Sequence, residues 1–197
     1  MKKLNLFLAV ACAAFTMQAC HNSASTTTTD STTTTVKSDS TKVTDTSKMA
    51  SAVIDTADTA FTNKAASGGM TEIAASKMAI QMSQNAKIKY FASMMITDHT
   101  MAGNKLAAIA KAINIVLPTA PNAMQQAALD KLSKKTGSDF NMAYVNQMVK
   151  DHKETIAMFE SEQNMVKDTT LKNFITTTLP TLHKHLDAIT ALKSSMK

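Results

Sequence analysis

Phe91-x-x-x-Met95-x-x-Asp98-His99 recurs as Tyr144-x-x-x-Met148-x-x-Asp151-His152, and the match extends to Leu106 and Phe159, each equally far beyond its histidine. Every element is displaced by one interval, that from Asp98 to Asp151. The apolar members fall at helical steps, so each copy reads as one face of an amphipathic helix. An Asp-His pair beside such a face is costly to bury unless its polar atoms find partners. Written twice, it constrains the chain to bring polar groups from two helices into one interior. The repeat points to a polar site inside a helical bundle.

The rest of the chain agrees with helices. Glycine occurs 4 times and proline 3 times, too little turn material for a many-stranded β fold. The first helix is expected from about Asp58 to Met82, with the stripe Phe61, Ala65, Gly68, Ala75, Ala79, Met82 and with Glu72 falling on it. The second starts after Asn85, a capping residue, and runs through Ile88, Phe91, Met95, Ala102, Leu106, Ile109 and Ile113 before Pro118 and Pro121 break it. A short helix near Asn122–Lys134 forms a crossover, ended by Gly137. The third long helix begins near Ser138 with Val145, Met148, Thr155 and Phe159 on its stripe. The fourth follows the cap Asp168 and carries Leu171, Ile175, Thr178, Leu182, His185, Ile189 and Leu192. Pro180 lies inside it and is expected to kink it one turn before His185. The expected fold is all-α, a four-helix bundle with a short crossover helix.

The N-terminus reads differently. Lys2-Lys3, the apolar run Leu4 to Phe15 and Met17-Gln18-Ala19-Cys20 have the layout of a signal peptide, and the run is short for a membrane span. The small residue before Cys20 resembles the lipobox of bacterial lipoproteins. That resemblance implies removal of residues 1–19 and lipidation of Cys20, hence a membrane partner through the lipid. The expected location is the cell envelope, at the outer membrane facing the periplasm. Cys12 would leave with the signal, so the mature chain has no thiol for a disulfide or a thiolate site. Up to about residue 56 the chain is dominated by Ser, Thr, Asp, Lys and Ala, a composition that cannot offset its ordering entropy and is expected to be a disordered, flexible tether. Asp30-Ser31-Thr32, Asp39-Ser40-Thr41, Asp55-Thr56-Ala57 and Asp58-Thr59-Ala60 resemble acceptor triplets of a bacterial O-glycosylation system. Residues 57–197 are expected to form the bundle domain.

Charge narrows the function classes. The formal net charge of +6 is carried entirely by lysine, for the chain has no arginine. Arginine is the preferred bidentate contact to phosphate and guanine, so a nucleic-acid partner is not expected. No Gly-rich phosphate loop, Gly-x-Ser-x-Gly elbow or aromatic stacking platform occurs.

Each long helix carries polar residues on or beside its stripe: Glu72; Asp98 with His99; Asp151 with His152; and His185. Carboxylates and imidazoles projecting inward from facing helices build metal sites in bundles, and this donor set suits Zn, Fe, Mn or Cu. Neighbouring Asp and His lie about 100° apart on a helix, so one can instead support a ligand held by another helix. The alternative is a metal-free network of Asp-His hydrogen bonds that fixes helix register. The Glu-x-x-His spacing of di-iron sites is missing, which argues against a di-iron oxidase. Met95 and Met148, four residues before their histidines, add a soft donor that would suit Cu(I). Met78, Met82, Met94, Met101 and Met158 read as core filler.

Phe61-Thr-Asn-Lys-Ala-Ala-Ser-Gly-Gly-Met70-Thr-Glu72, Met95-x-x-Asp98-His99, Met148-Val-Lys-Asp151-His152 and Thr178-Leu-Pro180-Thr-Leu-x-x-His185-Leu together resemble the family called domain of unknown function 4142. The resemblance implies a ferritin-like four-helix bundle in exported, often lipid-anchored proteins, and it supplies no reaction. Its recurrent polar positions fall on Glu72, Asp98, His99, Asp151, His152 and His185, whereas His183 lies outside its pattern. Two readings follow: an envelope protein binding a transition metal between its helices, or a structural or interaction protein without metal. Metal-centred redox turnover is a third.

Overall fold

The computed structural model describes residues 55–196. The leader, Cys20, the Ser/Thr-rich tether and its first two acceptor-like triplets lie outside the described residues. Five helices make up the described chain: α1 Thr56–Met82, α2 Ala86–Ala112, α3 Ala123–Ser133, α4 Gly137–Glu162 and α5 Thr169–Ser194. No strand occurs among the described residues.

Local chemistry sets the ends of these helices. The carboxylate or amide oxygens of Asp55, Asn85, Asn122 and Asp168 accept the first free backbone N–H groups of α1, α2, α3 and α5. The α2 helix ends before either proline is reached. Asn114 turns left-handed at φ 60°, and Ile115 N–H then bonds the Ala110 carbonyl at 2.8 Å while Asn114 N–H reaches Lys111 at 3.3 Å. Gly137, at φ 55°, makes the turn from α3 into α4.

Two apolar clusters reveal the helix directions. One joins Ala75 and Ala79 of α1, Ile88 and Phe91 of α2, Phe140 and Tyr144 of α4, and Ile189 and Leu192 of α5. The other joins Phe61, Leu106, Phe159 and Leu171 of the same four helices. The C-terminal half of α1 therefore meets the N-terminal halves of α2 and α4 and the C-terminal half of α5. The long helices run up, down, down, up. α1 packs on α2 and α4, and α5 packs on α4 and α2, which leaves α2 diagonal to α4. The short α3 lies in the crossover from α2 to α4, against both α1 and α4.

The buried face of α1 is more polar than its apolar stripe suggests. Phe61, Ala75 and Ala79 are buried, but so are Thr62, Ser67, Thr71 and Ser76, while Ala65, Gly68 and Met82 are only half-buried. Hydrogen bonds make that tolerable. Thr62 and Thr71 donate to carbonyls one turn back, Ser67 pairs with Gln125 of α3, and the Ser76 hydroxyl lies 3.0 Å from the Tyr144 hydroxyl. One further expectation changes. Met101 points to solvent, 60% exposed, rather than filling the core. The α5 helix continues unbroken through Pro180, whose ring is exposed on its outer face.

The third and fourth acceptor-like triplets take part in the fold. Asp55 caps α1, and the Thr59 hydroxyl bonds the Asp55 carbonyl. Asp58 is buried, and its carboxylate accepts the N–H of Lys167 at 2.6 Å and of Asp168 at 3.1 Å, tying α1 to the start of α5.

Candidate metal centre

Between the two apolar clusters lies one polar layer. Along α1 it is Glu72, between Phe61 and Ala75; on α2 His99, between Met95 and Leu106; on α4 His152, between Met148 and Ile156; on α5 His185, between Leu182 and Ile189. All four side chains are buried, His152 completely. The three imidazole centroids form a nearly equilateral triangle with edges of 5.3, 5.4 and 5.8 Å. One ring nitrogen from each lies within 4.8 Å of the others, so the group can hold a metal ion.

Hydrogen bonding sets the state of two rings. The Asp98 carboxylate lies 2.8 Å from Nε2 of His185 and can only accept, so Nε2–H donates and Nδ1 is left without a partner. The Met148 carbonyl lies 2.9 Å from Nδ1 of His152 and also only accepts, which leaves Nε2 as the free lone pair. His99 places Nδ1 3.3 Å from Oε2 of Glu72. Nε2 of His99, Nε2 of His152 and Nδ1 of His185 are buried without a hydrogen-bond partner. Unpaired buried atoms of this kind cost about 1–3 kcal/mol each. Three on facing rings mark a layer suited to a shared partner.

Burial disfavours charge on three of these four side chains. Burial, and then the neighbouring His152 and His185, lower the His99 pKa to about 3. Burial lowers His152 to about 4, against the opposing effect of its bond to Met148. Neutral imidazole is the form that binds metal. Glu72 moves the other way: burial, and secondarily the Asp151 charge, push its carboxyl up to about 8. Its Oε1 lies 3.2 Å from Nδ1 of His152, whose proton is directed at the Met148 carbonyl, and so has no hydrogen bond of its own.

The six polar positions thus occupy four kinds of place. His99, His152 and His185 converge; Glu72 touches the first two; Asp98 stands behind His185. Asp151 is half-buried, and burial raises its carboxyl pKa. It lines a groove toward α1 and α3, together with Glu72, Gln125 and Gln147. His183 is about half exposed, 3.8 Å from Glu160 on the surface. The sequence held no sign of the Met148 carbonyl, because any residue supplies one; its place four residues before His152 on a helix is the available signal.

The family described as a domain of unknown function (DUF4142) matches residues 43–192, most of the chain. The chain belongs to this family. The match spans all six polar positions, in keeping with the resemblance carried by the Asp-His repeat. Neither the curated proteins nor the solved structures provided a match.

Proposed function

We propose that this family member binds one transition-metal ion in its polar layer, with His99, His152 and His185 as imidazole ligands and Glu72 as the adjoining carboxylate. The observation that carries this reading is the set of three buried rings that each have an unpartnered nitrogen and each bring one ring nitrogen within 4.8 Å of the others. Ligands about 2.0–2.1 Å from zinc stand roughly 3.3 Å apart in tetrahedral geometry, a contraction that small side-chain rotations can achieve. Asp98 behind His185 and the Met148 carbonyl behind His152 are the outer partners that orient metal-binding imidazoles. The donor set suits Zn, Fe, Mn or Cu, and an ion here supplies a Lewis acid. The up-down-down-up order with one long crossover supports a ferritin-like kind of bundle.

A second reading is supported by the same layer. Glu72 reaches His99 on α2 and His152 on α4, while Asp98 of α2 bonds His185 of α5, so one network links all four long helices. Without metal, that network would serve helix register in a structural or interaction protein. Elemental analysis after repletion with Zn, Fe, Mn and Cu separates the two. One equivalent of metal, lost in a His99→Ala/His152→Ala variant, supports the site; no uptake of any of the four refutes it.

We also propose that the protein is an envelope lipoprotein held by lipid on Cys20. The leader ending in Ala19-Cys20 and the low-complexity stretch that follows support this. Each buried methylene of the lipid contributes ~0.8 kcal/mol to membrane partition. A Cys20→Ala chain that still sediments with membranes refutes the anchor.

A further inference from the structure

Beside the polar layer, toward the end of the bundle where α1 begins, a cavity of about 180 Å³ opens between α1, α2, α4 and α5. Its walls are mainly apolar, with Leu106, Phe159, Phe174 and Leu182 as the larger contributors. Glu72, Asp98, His99 and His185 form its polar end. Two of the unpartnered ring nitrogens, Nε2 of His99 and Nδ1 of His185, thus belong to residues that line it. Gly68 and Gly103 line it, Gly103 at its exposed mouth, and a Cβ built at either meets nothing within 4 Å. Glycine inside a helix costs about 1 kcal/mol relative to alanine. Both glycines sit in helix interiors beside space that a side chain could fill.

An apolar cavity of about 150 Å³ in another protein holds benzene. This one matches a single aromatic ring in size, and it adds a polar end that the metal reading supplies with a cation. We propose that the cavity is a binding site for a small phenol-class molecule, its ring against Leu106, Phe159 and Phe174 and its oxygen toward the ion held by His99, His152 and His185. The inference rests on the metal reading for the oxygen and on the cavity alone for the ring. The apolar walls favour an uncharged ring over a sugar or a peptide, because they offer few partners to polar groups. The oxygen provides a further anionic donor, beside the Glu72 carboxylate, of the kind a dication favours.

The test uses the purified full chain loaded with Co(II), whose visible spectrum reports its ligands. Phenol is expected to change that spectrum saturably. Gly68→Leu and Gly103→Leu should keep the cobalt spectrum and raise the phenol Kd by roughly tenfold or more, the scale expected when the ring is kept from its apolar walls. Neither change introduces a helix breaker, and leucine at these positions raises helix propensity. Gly69 is left alone, because a Cβ there lies 3.9 Å from Nδ1 of His99. In the metal-free chain, benzene should raise the unfolding temperature of the wild type and not of the double glycine variant. Cobalt uptake with no phenol response, or a response unchanged in both variants, overturns this inference and leaves the metal reading standing. Failure to take up cobalt or any of Zn, Fe, Mn and Cu overturns the metal reading, and the phenol seat with it. No benzene shift in the wild type overturns the apolar half.

Discussion

Replacing Glu72 with glutamine should change how the metal-free protein responds to pH, in a direction that depends on the sign of each shift. Glu72 moves from 4.5 to about 8 on folding. Between those values the folded chain holds a proton that the unfolded chain releases, so stability falls as pH rises. His99 and His152 move from 6.5 to about 3 and about 4. Below 6.5 the unfolded chain takes up protons that these buried rings refuse, so stability falls as pH drops. Two histidines outweigh one carboxyl where the windows overlap, and the metal-free protein should be most stable near pH 6.5. From there to pH 8 Glu72 alone costs up to ~1.4 kcal/mol per unit, roughly 2 kcal/mol in all. Glu72→Gln keeps the shape and removes the proton, so its stability should level off above pH 6.5. Bound metal should flatten the wild-type curve in the same window, because the ion takes the proton's place. Urea unfolding at a series of pH values, with chelator and with metal, reads all three curves. A metal-free wild type that is flat from pH 6.5 to 8, or a variant that declines equally, refutes this account of Glu72.

Three further outcomes are expected. His99→Ala and His152→Ala should each lower the stability of metal-loaded protein by about 1–3 kcal/mol, and the double variant should lose clearly less than their sum; His183→Ala, on the surface, should do little in the same urea titrations. Asp58→Ala should cost about 1–3 kcal/mol by stranding the N–H groups of Lys167 and Asp168, and hydrogen exchange should rise first at those two amides. Pro180→Ala should raise the unfolding temperature by restoring a helical donor toward Thr176 while leaving metal stoichiometry unchanged, as measured by calorimetry and elemental analysis.

Most of the helical architecture was legible because apolar side chains at helical steps have one dominant meaning. Phe91, Met95 and Leu106 on α2, and Leu171, Ile175, Leu182 and Ile189 on α5, all proved buried. The α1 helix was harder to read. Its interior face uses Thr62, Ser67, Thr71 and Ser76, whose hydroxyls are hidden by bonds one turn back or across to a neighbouring helix, and hydropathy cannot register that. Met101 misled for the converse reason: methionine serves in cores and on surfaces alike. The three histidines were visible as polar residues on or beside apolar stripes. What a stripe cannot convey is which ring atom is tied down, because that depends on partners such as Asp98 and the Met148 carbonyl.

The repeat itself has a geometric cause. α2 and α4 run in the same direction on one diagonal of the bundle, and α1 and α5 share the other. A twofold axis along the bundle would exchange α2 with α4 and α1 with α5, so matching residues at matching heights are what such a layout favours. His99 and His152 obey that relation, facing each other across the layer with centroids 5.8 Å apart. Their aspartates start from equivalent places and meet different neighbours. Asp98 turns to the α5 residue His185 and makes a hydrogen bond of 2.8 Å. Asp151 stands toward the α1 residue Glu72, a second carboxyl, and raises its pKa. The symmetry is thus broken on the unrepeated diagonal, where one helix offers an imidazole and the other an acid. That asymmetry gives the layer three nitrogen donors with an acid beside two of them. With an imidazole on both unrepeated helices the layer would hold no acid, and with an acid on both it would lack the third ring that completes the triangle.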